Sequence, residues 1–396
     1  MAASITALQL LLLLGLYVQG RVSFGLSSSS GHTSRVARRS PMNPPAMVTI
    51  LGQTFADDFA IRALGAPRVL PPGKVGEEWL LWFHGRDTSF KDDVMPSSTG
   101  RIYLATSKDG ISGWTMYEKP VMNPSKDDGD WFYFDSEHLG LGDVLIPGTK
   151  AQSKFATQDG VFMMYIFGGN ADTQLVADKK IKGMRMEIGV AVSQDGQNWS
   201  KVEGQHPYCS ILEPASTVNE FDALFVGWPT ILERGAEFNM YYHSYDAQSK
   251  RYVVGLAIAK DGLKWKKIGP VFDGSAAKGC FDSKGAGARH VLRMPDDTLK
   301  MWYTGYSDTD GSTAIGTATS TDGIRWTKSS DSPVLSASDD AGAFDAAGVS
   351  QPHLIWMPDL KRWRMYYVGT GAFGADTGVG VAESEDQLGE VWQRLK

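Results

Sequence analysis

One short string recurs along the chain and limits what it can fold into. SKDGISGW ends at Trp114, SQDGQNW at Trp199, AKDGLKW at Trp265 and STDGIRW at Trp326. A degenerate copy, SEDQLGEVW, has lost the Gly after its Asp and ends at Trp392. An alternating or apolar run precedes each copy: RIYLATS, EIGVAVS, VVGLAIA, AIGTATS and GVGVAES. Asp-Gly between such runs predicts a hairpin with a type I′ turn, in which both central residues take positive φ. Upstream lies a strand with paired aromatics: LLWFHG at 80–85, FMMYIFGG at 162–169, FNMYYHS at 238–244, LKMWYTG at 299–305 and WRMYYVG at 363–369. Further upstream a Phe-Asp pair leads into another strand, from Phe134, Phe221, Phe281 and Phe344. The first unit has only a blurred version, around Asp57 and Asp58 and the run GAPRVL at 65–70.

Each unit therefore holds four strands in roughly 60 residues, and five such units predict an all-β, five-bladed β-propeller with four antiparallel strands per blade. One such sheet cannot bury both faces alone, whereas copies packed side by side can. The repeated Trp and the Tyr pairs are then glue between blades, and the Asp-Gly turns are architecture. Residues 170–187 read as an inserted loop, and MVTIL at 47–51 as a strand that closes the last blade.

Composition agrees with a single folded domain over 47–396. Hydrophobic residues make up 42% and charged residues 21%, enough for a core and too apolar for a disordered chain. The net charge of -6 argues against nucleic acid as a partner, since phosphate binding needs a basic footprint. Cys209 and Cys280 are too few for a disulfide framework and read as free thiols or as one bridge. Before the domain, residues 1–20 carry the apolar run ITALQLLLLLGLYV. It is shorter than the roughly 20 residues of a spanning helix and suits a signal peptide. Residues 21–46 are basic and serine-rich, with no acidic residue before Asp57. That pairing predicts a bipartite leader to a plastid; secretion, with a disordered basic linker, is the alternative. No span is expected in the mature chain.

The second strands, the IGxAxSxDGxxW hairpins and the Phe-Asp entry with a Pro on the inner strand resemble the arabinanase/levansucrase/invertase superfamily, which holds glycoside hydrolase families 43 and 32 and the related mannoside phosphorylases. The resemblance covers about residues 47–396. It implies a funnel at the propeller axis that takes an oligosaccharide or polysaccharide. It also implies two carboxyl groups flanking the scissile bond, one acid and one base or nucleophile. In such proteins the catalytic carboxylates start the inner strands of the first three blades, beside the Pro where there is one. Here those positions read Ala66 before Pro67, Leu141-Gly142, and Trp228 before Pro229, with Ala288-Arg289 and Gln351 in the later units. None is acidic.

The remaining candidates come from the residues themselves. Asp87, Glu137 and Asp143 are the candidate acid/base groups. Asp135, Asp222, Asp282 and Asp345 recur in the Phe-Asp motif and read either as turn-holding groups or as sugar contacts. His84, Arg86, His243, Arg289, His290, His353 and Trp228 are candidate binding residues around the axis, able to hold hydroxyls or phosphate. No ligand spacing suggests a metal, and no cofactor is expected. The expectation is a carbohydrate-active protein acting on or binding a glycan. The alternative is a non-catalytic propeller with a protein partner, serving as a binding or scaffold module.

Overall fold

The computed structural model describes residues 49–51, 63–73, 77–86, 100–145, 161–176, 179–371 and 377–395. The leader, Asp57, Asp58 and Asp87 lie outside them. Each unit of the repeat forms an antiparallel meander of four strands. Sheet one runs Ala63–Leu70, Trp79–Arg86, Arg101–Ser107, Thr115–Met116. Sheet two runs His138–Leu145, Phe162–Gly169, Met186–Ser193, Ser200–Val202, and sheet three Gly227–Arg234, Glu237–Asp246, Arg251–Ala259, Lys266–Phe272. Sheet four runs Ala286–Arg293, Leu299–Tyr306, Thr313–Ser320, Thr327–Lys328, and sheet five Gly348–Met357, Arg362–Thr370, Thr377–Ser384, Trp392–Arg394. Among the described residues the strand pairing between sheets four and five is one parallel bridge, Thr313 with Gly348. The strand Thr49–Leu51 pairs with Thr377–Ser384 through Gly380 and Val379, where Trp392–Arg394 no longer covers it. The segment read as an inserted loop contains a small hairpin, Thr173–Val176 with Lys179–Lys182.

Packing within a sheet follows from three residues of the repeat. The Phe of the Phe-Asp pair lies over the third strand, and a Gly there makes room for it. A Cβ on Gly189, Gly255, Gly316 or Gly380 would run into Phe134, Phe221, Phe281 or Phe344. The same ring stacks on a second-strand tyrosine at 6.1 Å for Phe221–Tyr242 and 6.0 Å for Phe281–Tyr303 and Phe344–Tyr367.

The recurring hairpin links one sheet to the next. Its turn is not type I′: among the Asp-Gly pairs only the Gly has positive φ, at 71° for Gly110 and 73° for Gly323. In three copies the Ser before the turn accepts the Gly N–H (Ala259 replaces it in the third copy), and the Asp carboxylate accepts the N–H groups of the two residues after the Gly, as in Ser193, Asp195, Gln197 and Asn198. Side-chain acceptors thus replace the backbone ladder of a tight hairpin. Each Gly carbonyl then accepts a bond from a second-strand aromatic of the preceding sheet. Trp82 donates to Gly196 at 2.8 Å, Tyr165 to Gly262 at 2.9 Å, Tyr241 to Gly323 at 2.9 Å and Trp302 to Gly389 at 3.0 Å. Tyr366 of sheet five returns to Gly110 of sheet one at 2.9 Å, so the order closes on itself. The last copy has not lost its glycine. Gly389, two residues late, holds the same place and takes its own Trp392 as well.

Candidate functional site

The inner strands Ala63–Leu70, His138–Leu145, Gly227–Arg234, Ala286–Arg293 and Gly348–Met357 all break register at the same point, where the resemblance places catalytic groups. At three of these bulges the residue before Pro takes positive φ: Ala66 and Trp228 at 48° and Gln351 at 53°. Side chains rarely adopt that conformation, and residues held there cluster at ligand sites. In sheet two the position is Gly142, and Pro229 of sheet three sits where its Cβ would be.

Just past the bulges, a belt of side chains joins each inner strand to the next. Arg68 Nε donates to Asp143 Oδ1 at 3.2 Å. Asp143 Oδ2 accepts from the Ile231 N–H at 2.8 Å. The Thr230 hydroxyl donates to the Arg289 carbonyl at 2.8 Å. His290 Nδ1 accepts from the Leu354 N–H at 2.9 Å, and His353 Nε2 donates to the Val69 carbonyl at 3.1 Å. Gln351 adds a second tie from sheet five to sheet one, accepting the Ala66 N–H at 2.6 Å.

This belt fixes the contacts of several candidates. Asp143 is buried, and burial raises its pKa, while Arg68 and the N–H groups of Ile231 and Val144 hold the ionised form against that. Its two oxygens are engaged on both sides. Glu137 lies before the same strand, bonded to Lys126 at 3.2 Å and Lys182 at 2.6 Å. Burial pulls its carboxyl up, but the two lysines take it below the usual range, so it is no proton donor near neutrality. The six residues from Glu137 to Asp143 span roughly 20 Å of extended chain. That is about twice the widest spacing, 9.5 Å, of an acid/base pair across a glycosidic bond. The geometry does not support Glu137 with Asp143 as that pair. Asp87, the third candidate, lies outside the described residues.

The Phe-Asp carboxylates face into the sheets. Asp222 accepts from the Tyr242 hydroxyl at 2.8 Å and meets Lys267 at 2.7 Å. Asp282 accepts from Tyr303 at 2.7 Å and meets Lys328 at 2.8 Å. Asp345 accepts from Tyr367 at 3.0 Å and from Arg394 at 2.7 Å. Asp135 meets Lys201 at 2.6 Å, and Ser125 stands in for the tyrosine. Each cation lies two residues past the repeated Trp. That Trp-x-Lys/Arg spacing is present in the sequence at Lys201, Lys267, Lys328 and Arg394, but nothing local ties the cation to the distant Phe-Asp pair.

The binding candidates do gather. Five histidines, His84, His138, His243, His290 and His353, are buried. Nδ1 accepts a hydrogen bond in His84, His243 and His290, and Nε2 donates one to a carbonyl in His138 and His353. Burial above all holds them neutral: the pKa falls to about 4 for His138 and about 3 for His353. Arg289 donates through Nη2 to His243 Nδ1 at 2.6 Å and through Nε to the Gly287 carbonyl at 2.8 Å. Burial lowers its pKa to about 9 and that of Arg86 to about 10. Arg86 Nη2 lies 3.5 Å from His84 Nε2. Trp228 is sandwiched between Phe167, at 4.3 Å, and His243, stacked at 4.7 Å. Around this group three buried donors have no acceptor among the described residues: Arg289 Nη1, Trp228 Nε1 and the Tyr252 hydroxyl. Arg68, which the sequence reading did not single out, is the belt's only guanidinium paired with a carboxylate among the described residues.

Among the described residues no group of three or more His, Cys, Asp or Glu is placed to hold a metal ion. None of their helices is long and apolar enough to cross a membrane. Cys209 and Cys280 are both free.

No protein-family profile matches the chain, and no curated protein matches it in sequence. Solved structures do match. A glycoside hydrolase superposes with a TM-score of 0.62 at 17% identity, over 86% of this chain and 92% of its own. A thermostable family-43 glycoside hydrolase gives 0.59 at 13% identity, over 84% and 93%. A structure from the GH130 family of mannoside phosphorylases, described as containing glycoside hydrolases that target β-1,2-mannosidic linkages in Candida mannan, gives 0.56 at 17% identity, over 81% and 84%. The chain has the propeller fold of the arabinanase/levansucrase/invertase type.

Proposed function

We propose that the five sheets are the blades of one propeller and that the chain binds a glycan at its axis without hydrolysing it. The observation that carries this reading is the set of unpartnered donors on Arg289, Trp228 and Tyr252, beside inner-strand bulges that bear Ala66, Gly142, Trp228 and Gln351. Buried donors without acceptors are costly, and a polyhydroxylated ligand supplies acceptors. Hydrolysis needs two carboxyl groups within about 5–9.5 Å of each other across the bond. The described axial carboxylate, Asp143, is tied to Arg68 instead.

The binding mechanism follows from the lining. Neutral histidines and the Trp228 edge give an environment with little water, in which donors to sugar hydroxyls are strong. The αL residues fix the inner-strand backbone, so little ordering remains to be done on binding. A second reading, phosphorolysis, is favoured by the Arg289 guanidinium, which pairs with no carboxylate among the described residues. Phosphate attacks without a water-activating base.

Calorimetric titration with arabino-, xylo-, manno- and fructo-oligosaccharides, with and without phosphate, tests the proposal. Saturable binding is expected in the wild type, weakened about tenfold or more in Arg289→Lys, where the planar fork of donors is lost. A flat titration with every sugar, in a protein that melts cooperatively, overturns it.

A further inference from the structure

The loop before sheet two departs from the repeat. Where the other units have Asn219-Glu220, Gly279-Cys280 and Gly342-Ala343 ahead of the Phe-Asp pair, this one has Trp131-Phe132-Tyr133. Repeat architecture does not call for these aromatics, and two of them point outward: Trp131 is 75% exposed and Phe132 44%. They are not loose. Trp131 and Phe132 meet edge to face at 6.3 Å, and Phe132 and Tyr133 lie 4.8 Å apart. The Tyr133 hydroxyl donates to Glu203 at 2.9 Å, and the Asp130 N–H bonds back to the Ser125 carbonyl at 3.0 Å. The loop also leads to the axis. Lys126 at its start pairs with Glu137, which directly precedes the inner strand and its buried His138.

We propose that Trp131 and Phe132 form a second carbohydrate-binding site, a platform for a neutral sugar unit of a longer chain whose other units occupy the axis. The inference rests on the axial glycan reading and extends it. An exposed, braced aromatic face offers apolar area at low entropic cost, and it matches the C–H face of a pyranose or furanose ring. Exposed carboxylates in the same loop, Asp127, Asp128 and Asp130, supply acceptors for hydroxyls around it. They give the surface a negative sign, which disfavours an acidic glycan or an anionic membrane. Asp127 is itself braced by Arg101 at 2.8 Å. The ligand class is therefore a neutral oligosaccharide long enough to reach from platform to axis.

The test compares neutral disaccharides with hexasaccharides of arabinose, xylose, mannose and fructose, titrated into the wild type, Trp131→Ala and Phe132→Ala. Both side chains are exposed, so the variants should melt as the wild type does. The affinity for the best hexasaccharide should fall about tenfold in Trp131→Ala, the size of one lost aromatic contact, while disaccharide binding stays unchanged. Equal hexasaccharide affinity in wild type and Trp131→Ala overturns the platform and leaves the axial reading standing. No binding of any length to the wild type overturns both.

Discussion

Asp282 shows what the repeated Phe-Asp pair is for. Its buried carboxylate holds the Tyr303 hydroxyl of the second strand and the Lys328 ammonium of the fourth, clamping the sheet across its width. Asp282→Ala would leave the half-buried Lys328 ammonium with only the exposed Asp331 at 3.5 Å, at an expected cost of about 3 kcal/mol. Tyr303→Phe removes one bond and should cost about 1 kcal/mol. Urea unfolding of the two variants checks this order. A loss of sugar affinity in Tyr303→Phe at unchanged stability would instead assign the clamp to the site. The third-strand glycines give a second test. Gly316→Ala forces Phe281 off its seat, so it should destabilise by about 1–3 kcal/mol even though its backbone is ordinary extended strand.

At the scale of the element, the hairpin's outline was legible in the sequence and its chemistry was not. The strand–Asp-Gly–Trp order located every outer hairpin. The type I′ reading failed because Ser and Asp side chains, not φ of the Asp, satisfy the turn. The last hairpin was misjudged for a related reason: what the fold needs is a Gly carbonyl facing the neighbouring sheet, and Gly389 supplies it after two extra residues. Gly323→Ala should therefore cost more than the roughly 1 kcal/mol of a simple positive-φ substitution, since a Cβ there also meets the Tyr241 hydroxyl. Tyr241→Phe should cost about 1 kcal/mol on its own. Double-mutant cycles between the two positions should show coupling. The candidate site's residues were legible in part, their contacts less so. Tracts such as Ala288-Arg289-His290 pointed to the inner-strand bulges, but which carboxylate there pairs with a neighbouring arginine depends on sheet-to-sheet packing, which local sequence does not encode.

For the whole molecule, closure of the belt carries a pH dependence. His353 joins sheet five to sheet one and His290 joins sheet four to sheet five, their rings 4.7 Å apart with Arg68 as the charged neighbour of both. Burial lowers both pKa values, so the unfolded chain takes up protons first as the pH falls. Their contribution is complete above the ordinary histidine value of about 6.5. For His353 it is lost progressively down to about 3. The urea midpoint should drop across that window. His353→Gln, which keeps a donor for the Val69 carbonyl and cannot titrate, should flatten the drop; an unchanged slope would remove His353 from the account. The central claim is that this closed ring binds a glycan and leaves it whole. The most direct measurement is chromatography of the best-bound oligosaccharide after prolonged incubation with the wild-type protein at saturation, with and without phosphate. Recovery of intact oligosaccharide alongside saturable binding is the expected result. Release of shorter sugars or of a sugar phosphate, absent from the Arg289→Lys control, would contradict it and make the axis a catalytic site.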